Sequence, residues 1–228
     1  MQRRKFTVTT LVALTGGTWR AAGAASPFSE TDAALAVRAA LEHGAMAAVG
    51  LLGRTDGFLG NPKVRIPLPG FLHDAASLLR ATGQQKRVDA LITAMNRAAE
   101  AAVPEARGVL VNTVKNLSVE DARRLVSGGD NAVTSFFEEK TRAPLGERFL
   151  PIVTQATENV SLAAKYNAVA GKVAALGLMS SDDANIERYV TEKTLDGLYV
   201  MIGEEERQIR QDPIGTGSAI LRKVFGGL

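Results

Sequence analysis

The chain has 228 residues, of which 46% are hydrophobic and 22% charged, a composition typical of a globular protein and not of a disordered or fibrous one. Four of its 27 basic residues and none of its 24 acidic residues lie in the first 24 positions, so the net charge of +3 becomes about −1 beyond them. A near-neutral chain with 5% aromatic residues lacks the basic surface and the stacking side chains that nucleic-acid binding requires.

The first 24 residues have the parts of an export signal. A basic start is followed by a modest apolar run over residues 8–14 and by small residues ending in Ala22-Gly23-Ala24, which predicts cleavage before Ala25. Arg3-Arg4-Lys5-Phe6 resembles the twin-arginine signal, but Thr7 stands where that signal has leucine, so general secretion remains an alternative. We therefore expect a periplasmic or secreted protein.

The chain contains no cysteine, which excludes disulfides, a lipidated N-terminal cysteine and a thiol nucleophile. After residue 24 no stretch reaches the roughly 18 uninterrupted apolar residues that a membrane span needs, so we expect a mature chain without an integral membrane segment. Core packing alone must then hold the fold.

Helical periodicity begins soon after the signal. Ser29 with Asp32 predicts a capped helix that ends at Gly53. Residues 55–62 are rich in Asp, Gly, Asn and Pro, which predicts turns. The buried side of this helix is expected to carry Leu35, Ala39, Ala40, Ala47 and Leu51.

Residues 63–69 must be extended, because Pro67 and Pro69 each bias the preceding residue away from helical geometry. Val64, Ile66 and Leu68 alternate with Lys63 and Arg65 in this segment. An edge strand would show the same alternation, but no partner strand is evident. We therefore interpret the segment as an apolar ribbon laid over helices.

The middle of the chain predicts four more helical segments. A short helix over residues 71–82 ends at Gly83, and a helix pair over 84–117 follows, in which Pro104 either kinks one helix or opens a second. Ser118 with Asp121 starts another helix, which ends before residues 128–129. We expect the 84–117 pair to be the centre on which the other elements pack.

The C-terminal half predicts further helices. Asp130 is the expected N-cap of a helix over residues 131–140, and a second proline-marked unit spans about 145–176. Ser181, Asp182 and Asp183 put negative charge at the start of a long helix through Arg210, and a short terminal helix covers 218–225. The long helix is expected to bury one stripe of residues, which consists of Ile186, Tyr189, Val190, Thr194, Leu195, Leu198, Tyr199 and Ile202.

These elements predict an all-α fold, a single-domain multi-helix bundle over residues 25–228 with one short extended Pro-rich segment. Nearly every element has a 3.6-residue apolar period, and nearly every break is Gly or Pro.

Four motifs, in this order, resemble the bacterial family called domain of unknown function 4197: MNRAAE at 95–100, GGDNAVTSFF at 128–137, YVTEKTLDGL at 189–198 and EEERQIRQDP at 204–213. The resemblance covers residues 33–225 or so and implies helical architecture and an envelope setting, without any assigned chemistry. The positions that match the family are Asn96, Glu100, Asp121, Asp130, Thr134, Tyr189, Asp196, Glu205 and Arg210.

Asn96 and Glu100 border an apolar helix stripe one turn apart, so we expect both to be half buried. A half-buried carboxylate needs a partner, and Arg210, Arg123 and Arg97 are the candidates. An arginine partner would make the pair structural, whereas an open groove would make it a ligand site.

Catalytic and metal signatures are absent from the sequence. The two histidines, His43 and His73, have no metal-binding spacing, and no nucleophile elbow or cofactor motif occurs. Asp196 shares a helix face with Glu192 and Tyr199, a spacing more typical of surface contacts than of an acid and base pair. We expect no cofactor and no metal.

Two functional hypotheses follow. The first is a non-enzymatic envelope module that binds a small or apolar ligand, or a protein partner, in a groove beside the central pair. The alternative is a carboxylate-dependent, hydrolase-like enzyme that uses Glu100 with Asp121, Asp130 or Asp196 as acid and base.

Overall fold

Helices dominate the part of the chain that the computed structural model describes, residues 30–177 and 184–212. This part contains eight α-helices, one 3-10 helix and no strand, which confirms the all-α prediction. The helices are α1 (Glu30–Leu52), α2 (Gly70–Ala81), α3 (Gln85–Ala102), the 3-10 helix (Val103–Glu105), α4 (Ala106–Lys115), α5 (Val119–Ser127), α6 (Ala132–Thr157), α7 (Ser161–Ala175) and α8 (Ile186–Gln211).

Several predictions fall outside these residues. They are the export signal over 1–24, the Ser29 cap, the helix start at Ser181, Asp182 and Asp183, and the terminal helix over 218–225. Within the described part, α8 begins at Ile186 after the N-cap Asn185, whose side chain accepts a hydrogen bond from the backbone N–H of Arg188 at 2.8 Å.

The core is built around α3, α6 and α8. α6 and α8 form the most extensive helix interface, α3 packs on α6, and α1 packs on α8 and α4. Leu91 and Met95 of α3 are fully buried, as is Leu198 of α8. The 84–117 pair is therefore one part of the centre, and the α6–α8 pair, rather than the 84–117 pair alone, organises the fold.

The buried face of α1 differs from the predicted one. Leu35 is 54% exposed and Ala39 is also exposed, whereas Val37, Leu41 and Ala48 are buried. Alanine occurs on every side of this helix, so its sequence provides little contrast between faces.

One segment of α1, Ala34–Leu52, is long and apolar enough to cross a membrane by length and composition alone, the only such segment in the residues described. Half of it is buried inside the fold. Burial of this kind is typical of a core helix in a globular protein, so length and composition are weak grounds for a membrane span.

The proline-marked region was predicted wrongly. A helix ending near Lys140 and a second unit over 145–176 were expected, but α6 runs continuously from Ala132 to Thr157 through Pro144 and Pro151, and α7 is separate. A proline inside a helix costs about 3 kcal/mol. Packing of the buried residues of α6 against α3 and α8 offsets that cost; these residues are Phe137, Thr141, Leu145, Phe149, Val153 and Thr157.

Three other predictions agree with the structure. Pro104 lies in the 3-10 helix that separates α3 from α4, and Ser118 caps α5 by accepting a hydrogen bond from the backbone N–H of Asp121 at 3.0 Å. Every residue of the predicted α8 stripe is buried.

Candidate functional site

The ribbon, residues 63–69, begins in a turn over residues 62–64 and lies outside any helix or strand over 65–69, with one face in the core. The extended part is therefore shorter than predicted, because the N–H groups of Val64 and Arg65 bond back to the Asn61 carbonyl. Val64, Ile66 and Leu68 are buried, while Arg65 and Pro67 are exposed. It has no strand partner among the described residues, as the sequence interpretation expected. The buried backbone polar groups of Ile66, which have no backbone partner in the part of the chain that the structure describes, must therefore be satisfied by side chains.

Asn96 of α3 supplies the partner for Ile66 at the centre of the ribbon. Its Oδ1 accepts a hydrogen bond from the Ile66 N–H at 2.8 Å, and its Nδ2 donates to the Ile66 carbonyl at 3.0 Å and to the Ile92 carbonyl at 2.8 Å. The Tyr189 hydroxyl donates to the Pro67 carbonyl at 3.1 Å. Asn96 is fully buried rather than half buried, and its role here is structural.

Glu100, one turn after Asn96, holds the turn that precedes the ribbon. Its Oε1 accepts hydrogen bonds from the backbone N–H groups of Phe58 at 3.0 Å and Leu59 at 3.1 Å. Its Oε2 accepts from Arg97 at 2.6 Å, and the same guanidinium reaches Asp56 at 2.7 Å. Glu100 thus faces an arginine, one of the three predicted candidates, and no open groove.

A pocket lies between the ribbon, α2 and α3, with a volume of about 380 Å³. We call it the ribbon pocket. Neither Arg65 nor Arg80 hydrogen-bonds or ion-pairs through its side chain with a described residue. The residues that line the pocket are Pro62, Arg65, Pro67, Leu68, His73, Ala76, Arg80 and Ile92.

A second polar cluster joins α6 to α8 through Arg142. Its guanidinium donates to Glu138 at 2.9 Å, to Glu192 at 2.8 Å and to Asp196 at 2.9 Å. It also lies over the Tyr199 ring, 5.3 Å from the centroid. The predicted surface contacts of Asp196 are therefore made, with Arg142 as their centre.

The pKa values in this cluster follow from burial and pairing. Burial raises the pKa of Tyr199 to about 12, although its hydroxyl hydrogen-bonds to Thr141 at 2.8 Å. Partial burial also raises the pKa of Asp196, but hydrogen bonds from Arg142 and Lys193 outweigh it, so the pKa lies below the ordinary value. Asp196 is thus held as a carboxylate and is a poor proton donor near neutral pH.

Glu206 of α8 caps the N-terminus of α6, a contact that sequence reasoning missed. It accepts hydrogen bonds from the backbone N–H groups of Val133 at 3.0 Å and Thr134 at 2.9 Å, and from the Thr134 hydroxyl at 2.8 Å. Arg210 donates to Glu206 at 3.0 Å and to the Leu125 carbonyl at 3.0 Å. The i, i+4 spacing of Glu206 and Arg210 favours an ion pair between them, but nothing local indicates the contact with Thr134.

Asp130, predicted as the N-cap of α6, does not fill that role. Asn131 stands at the N-cap position and makes no capping hydrogen bond through its side chain, while Asp130 is exposed. Glu206 already binds the free N–H groups at this helix end, so no local cap is needed.

The remaining candidates lie elsewhere. Asp121 accepts hydrogen bonds from Ser118 at 2.6 Å and from Arg124.

Glu205 lines a cavity of about 40 Å³ between α1, α5, α6 and α8, and burial raises its pKa. A cavity of that size holds a water molecule or two and no larger ligand.

The structure pairs three of the candidate carboxylates with separate arginines. Glu100 is bonded to Arg97, Asp121 to Arg124 and Asp196 to Arg142, on three different helices. In residues 30–177 and 184–212 no group of three or more His, Asp or Glu side chains is arranged to hold a metal ion.

These features define an all-α protein in which buried polar side chains hold an extended ribbon and a helix end, beside a pocket with two arginines. The family described as protein of unknown function (DUF4197) matches residues 27–226, and the chain belongs to this family. The chain matches no curated protein and no solved structure. The family resemblance is thereby confirmed, and the family's description assigns no function to the site.

Proposed function

We propose that this protein is an exported, non-enzymatic envelope module that binds a small ligand in the ribbon pocket. The observation that carries the proposal is the fixation of the ribbon by the buried side chain of Asn96. Because Ile66 is held through both its backbone groups, the outward side of the ribbon is fixed before any ligand arrives. A pre-organised wall lowers the entropy lost on binding.

The size and lining of the ribbon pocket support a small-molecule site. At about 380 Å³ it lies in the range of roughly 300–1,000 Å³ that ligand pockets occupy. Five apolar residues from three separate segments line the pocket together with three polar ones, a combination that ligand pockets commonly have. These apolar residues are Pro62, Pro67, Leu68, Ala76 and Ile92.

The hydrolase-like alternative has less support. Both carboxylate oxygens of Glu100 accept hydrogen bonds, and the residue is 5% exposed. An acid and base pair needs a group that can reach a substrate proton. Glu100 instead has the bonding pattern of a carboxylate that stabilises a turn.

The other form of the binding hypothesis is a protein partner. Such a partner would bind the surface of α6 and α8 around Arg142. There the central guanidinium of Arg142 is already bonded to three carboxylates. A partner would have to displace those ion pairs, whereas Arg65 and Arg80 in the ribbon pocket form none with the residues that the structure describes. We therefore favour the small ligand.

The ligand site can be tested by chemical-shift mapping with a set of neutral, anionic and cationic fragments. We expect perturbed backbone amides to cluster around Arg65, Leu68 and Ala76. Ile92→Trp should abolish the perturbations because Ile92 lines the pocket and an indole would fill it. Leu78→Trp is the matched control, since Leu78 is 68% exposed on α2 and does not line the pocket. If no fragment perturbs this region, the proposal is wrong.

The export part of the proposal is supported by residues 1–24. The prediction is that Arg3-Arg4 replaced by Lys-Lys blocks delivery to the periplasm, measured by cell fractionation. Unchanged delivery would exclude the twin-arginine route, and retention of an uncleaved chain in the cytoplasm of wild-type cells would contradict export altogether.

A further inference from the structure

We infer that the ribbon pocket recognises the anionic head of an amphiphile, a carboxylate or phosphate, through Arg65 and Arg80. The inference rests on the proposed function and specifies its ligand class. Arg65 is fixed on the outward side of the ribbon because its neighbour Ile66 is held by Asn96. Arg80 lies in the last turn of α2, on the same helix face as His73 and so on the pocket side.

Charge is the first argument. No carboxylate lines the ribbon pocket among the described residues, whereas two guanidinium groups do. Arg97, Arg142 and Arg210 are each bonded to carboxylates elsewhere in the protein. Two like charges beside one pocket repel each other, and a bound anion would convert that repulsion into attraction.

Geometry of the donors is the second argument. The planar guanidinium group presents paired N–H donors that match a carboxylate or phosphate, and such charge-assisted hydrogen bonds are stronger than neutral ones. His73 adds a third polar side chain to the pocket lining. A polar head bound here would therefore find donors from both the ribbon and α2.

The apolar residues of the pocket favour a ligand that carries a hydrocarbon chain next to its anionic head. Pro62 and Pro67 are exposed and Ile92 is partly buried, so the pocket offers hydrocarbon surface next to the arginines. An inorganic anion would leave this surface exposed to water, whereas an acyl or alkyl chain would cover it. The expected ligand is an anion with a medium-length hydrocarbon chain.

The test compares decanoate, decyl phosphate and decanol by calorimetry and chemical-shift mapping on the mature chain. We expect both anions to bind at least about ten-fold more tightly than decanol, because hydrogen bonds to charged groups are worth about 1.5–3 kcal/mol. Arg65→Gln with Arg80→Gln should reduce the preference to about two-fold or less and leave decanol binding unchanged, since the apolar lining is retained.

Arg107→Gln with Arg148→Gln is the matched control. Both arginines are exposed and lie outside the ribbon pocket, so this double variant changes net charge equally and should keep the anion preference. Equal binding of decanoate and decanol, or a preference that survives in the pocket variant, would overturn the inference. Failure of both anions to bind would overturn it too, while the proposed function fails only if no fragment perturbs the ribbon pocket.

Two sources could supply such an anion, a free amphiphile or the headgroup of a lipid. Vesicles of phosphatidylcholine with and without phosphatidylglycerol distinguish them in a sedimentation assay. Binding of decyl phosphate without sedimentation identifies a free amphiphile, and sedimentation with phosphatidylglycerol that is lost in the Arg65 and Arg80 variant identifies the headgroup. Sedimentation that the variant retains, without binding of either free anion, counts against the inference.

Discussion

Asn96 satisfies both backbone groups of Ile66, accepting from its N–H at 2.8 Å and donating to its carbonyl at 3.0 Å. This is the pair of hydrogen bonds that a neighbouring β-strand would supply. One buried amide on α3 therefore replaces a strand, and the ribbon can remain extended on an all-helical core.

Asn96→Ala should destabilise the protein by about 2–5 kcal/mol, because it leaves the N–H and C=O of Ile66 buried without partners at about 1–3 kcal/mol each. Urea unfolding followed by circular dichroism measures the change. Asn112→Ala is the control, since Asn112 is exposed on α4, and a shift within about 0.5 kcal/mol is expected there. Equal midpoints for the two variants would show that the pairing with Ile66 contributes nothing.

Glu206→Ala should cost about 3–5 kcal/mol, since it leaves Arg210 partly buried without its carboxylate and the first N–H groups of α6 uncapped. The measurement is thermal unfolding together with amide exchange at Val133 and Thr134, which should become faster. Glu139→Ala provides the comparison because Glu139 is 72% exposed on the same helix α6. Protected amides at Val133 and Thr134 in Glu206→Ala would refute the capping role.

Two glycines in helices should respond oppositely to alanine. A Cβ at Gly197 would lie 2.7 Å from Cε1 of Phe58 and 3.3 Å from Cβ of Val64, and Phe58 is fully buried, so Gly197→Ala should destabilise by about 1–3 kcal/mol. At Gly108 of α4 a Cβ would meet nothing within 4 Å, so Gly108→Ala should stabilise by about 0.5–1 kcal/mol. Denaturant midpoints compare them, and a stabilised Gly197→Ala would show that α8 does not need this close approach.

Glu205 should make the protein less stable as the pH rises. Burial raises its pKa, an effect that the charge of His43 opposes and that of Glu204 reinforces. Between the ordinary glutamate pKa and the raised value the folded state binds more protons than the unfolded state, so stability falls with rising pH across this window. Glu205→Gln should therefore gain stability relative to the wild type above the window and match it below.

Asp196→Asn is the companion variant with the opposite sign. The pKa of Asp196 is lowered, so the carboxylate stabilises the folded state above the ordinary aspartate pKa and loses that effect as the pH falls through the lowered value. Asp196→Asn should be less stable than the wild type near neutral pH and approach it in acid. Urea unfolding at several pH values tests both variants, and parallel pH profiles for the two would contradict the assignments.

The all-α fold, the helix break at Pro104 and the buried stripe of α8 were determined by the sequence itself. Helical period and the effects of Gly and Pro are local, as is a cap such as Ser118 on the N–H of Asp121, so they can be read from neighbouring residues. The motif residues Asn96 and Glu100 were also recognised as polar positions at the edge of a core face.

Only the tertiary structure decided what those residues do. Ile66 lies 30 positions from Asn96, and Thr134 lies 72 positions from Glu206, distances at which no local pattern indicates a partner. Packing against α3 and α8 likewise carried α6 through two prolines that local propensity would place at a break. The convergence of Arg65 and Arg80 on one pocket has the same origin, because it depends on where the ribbon lies against α2.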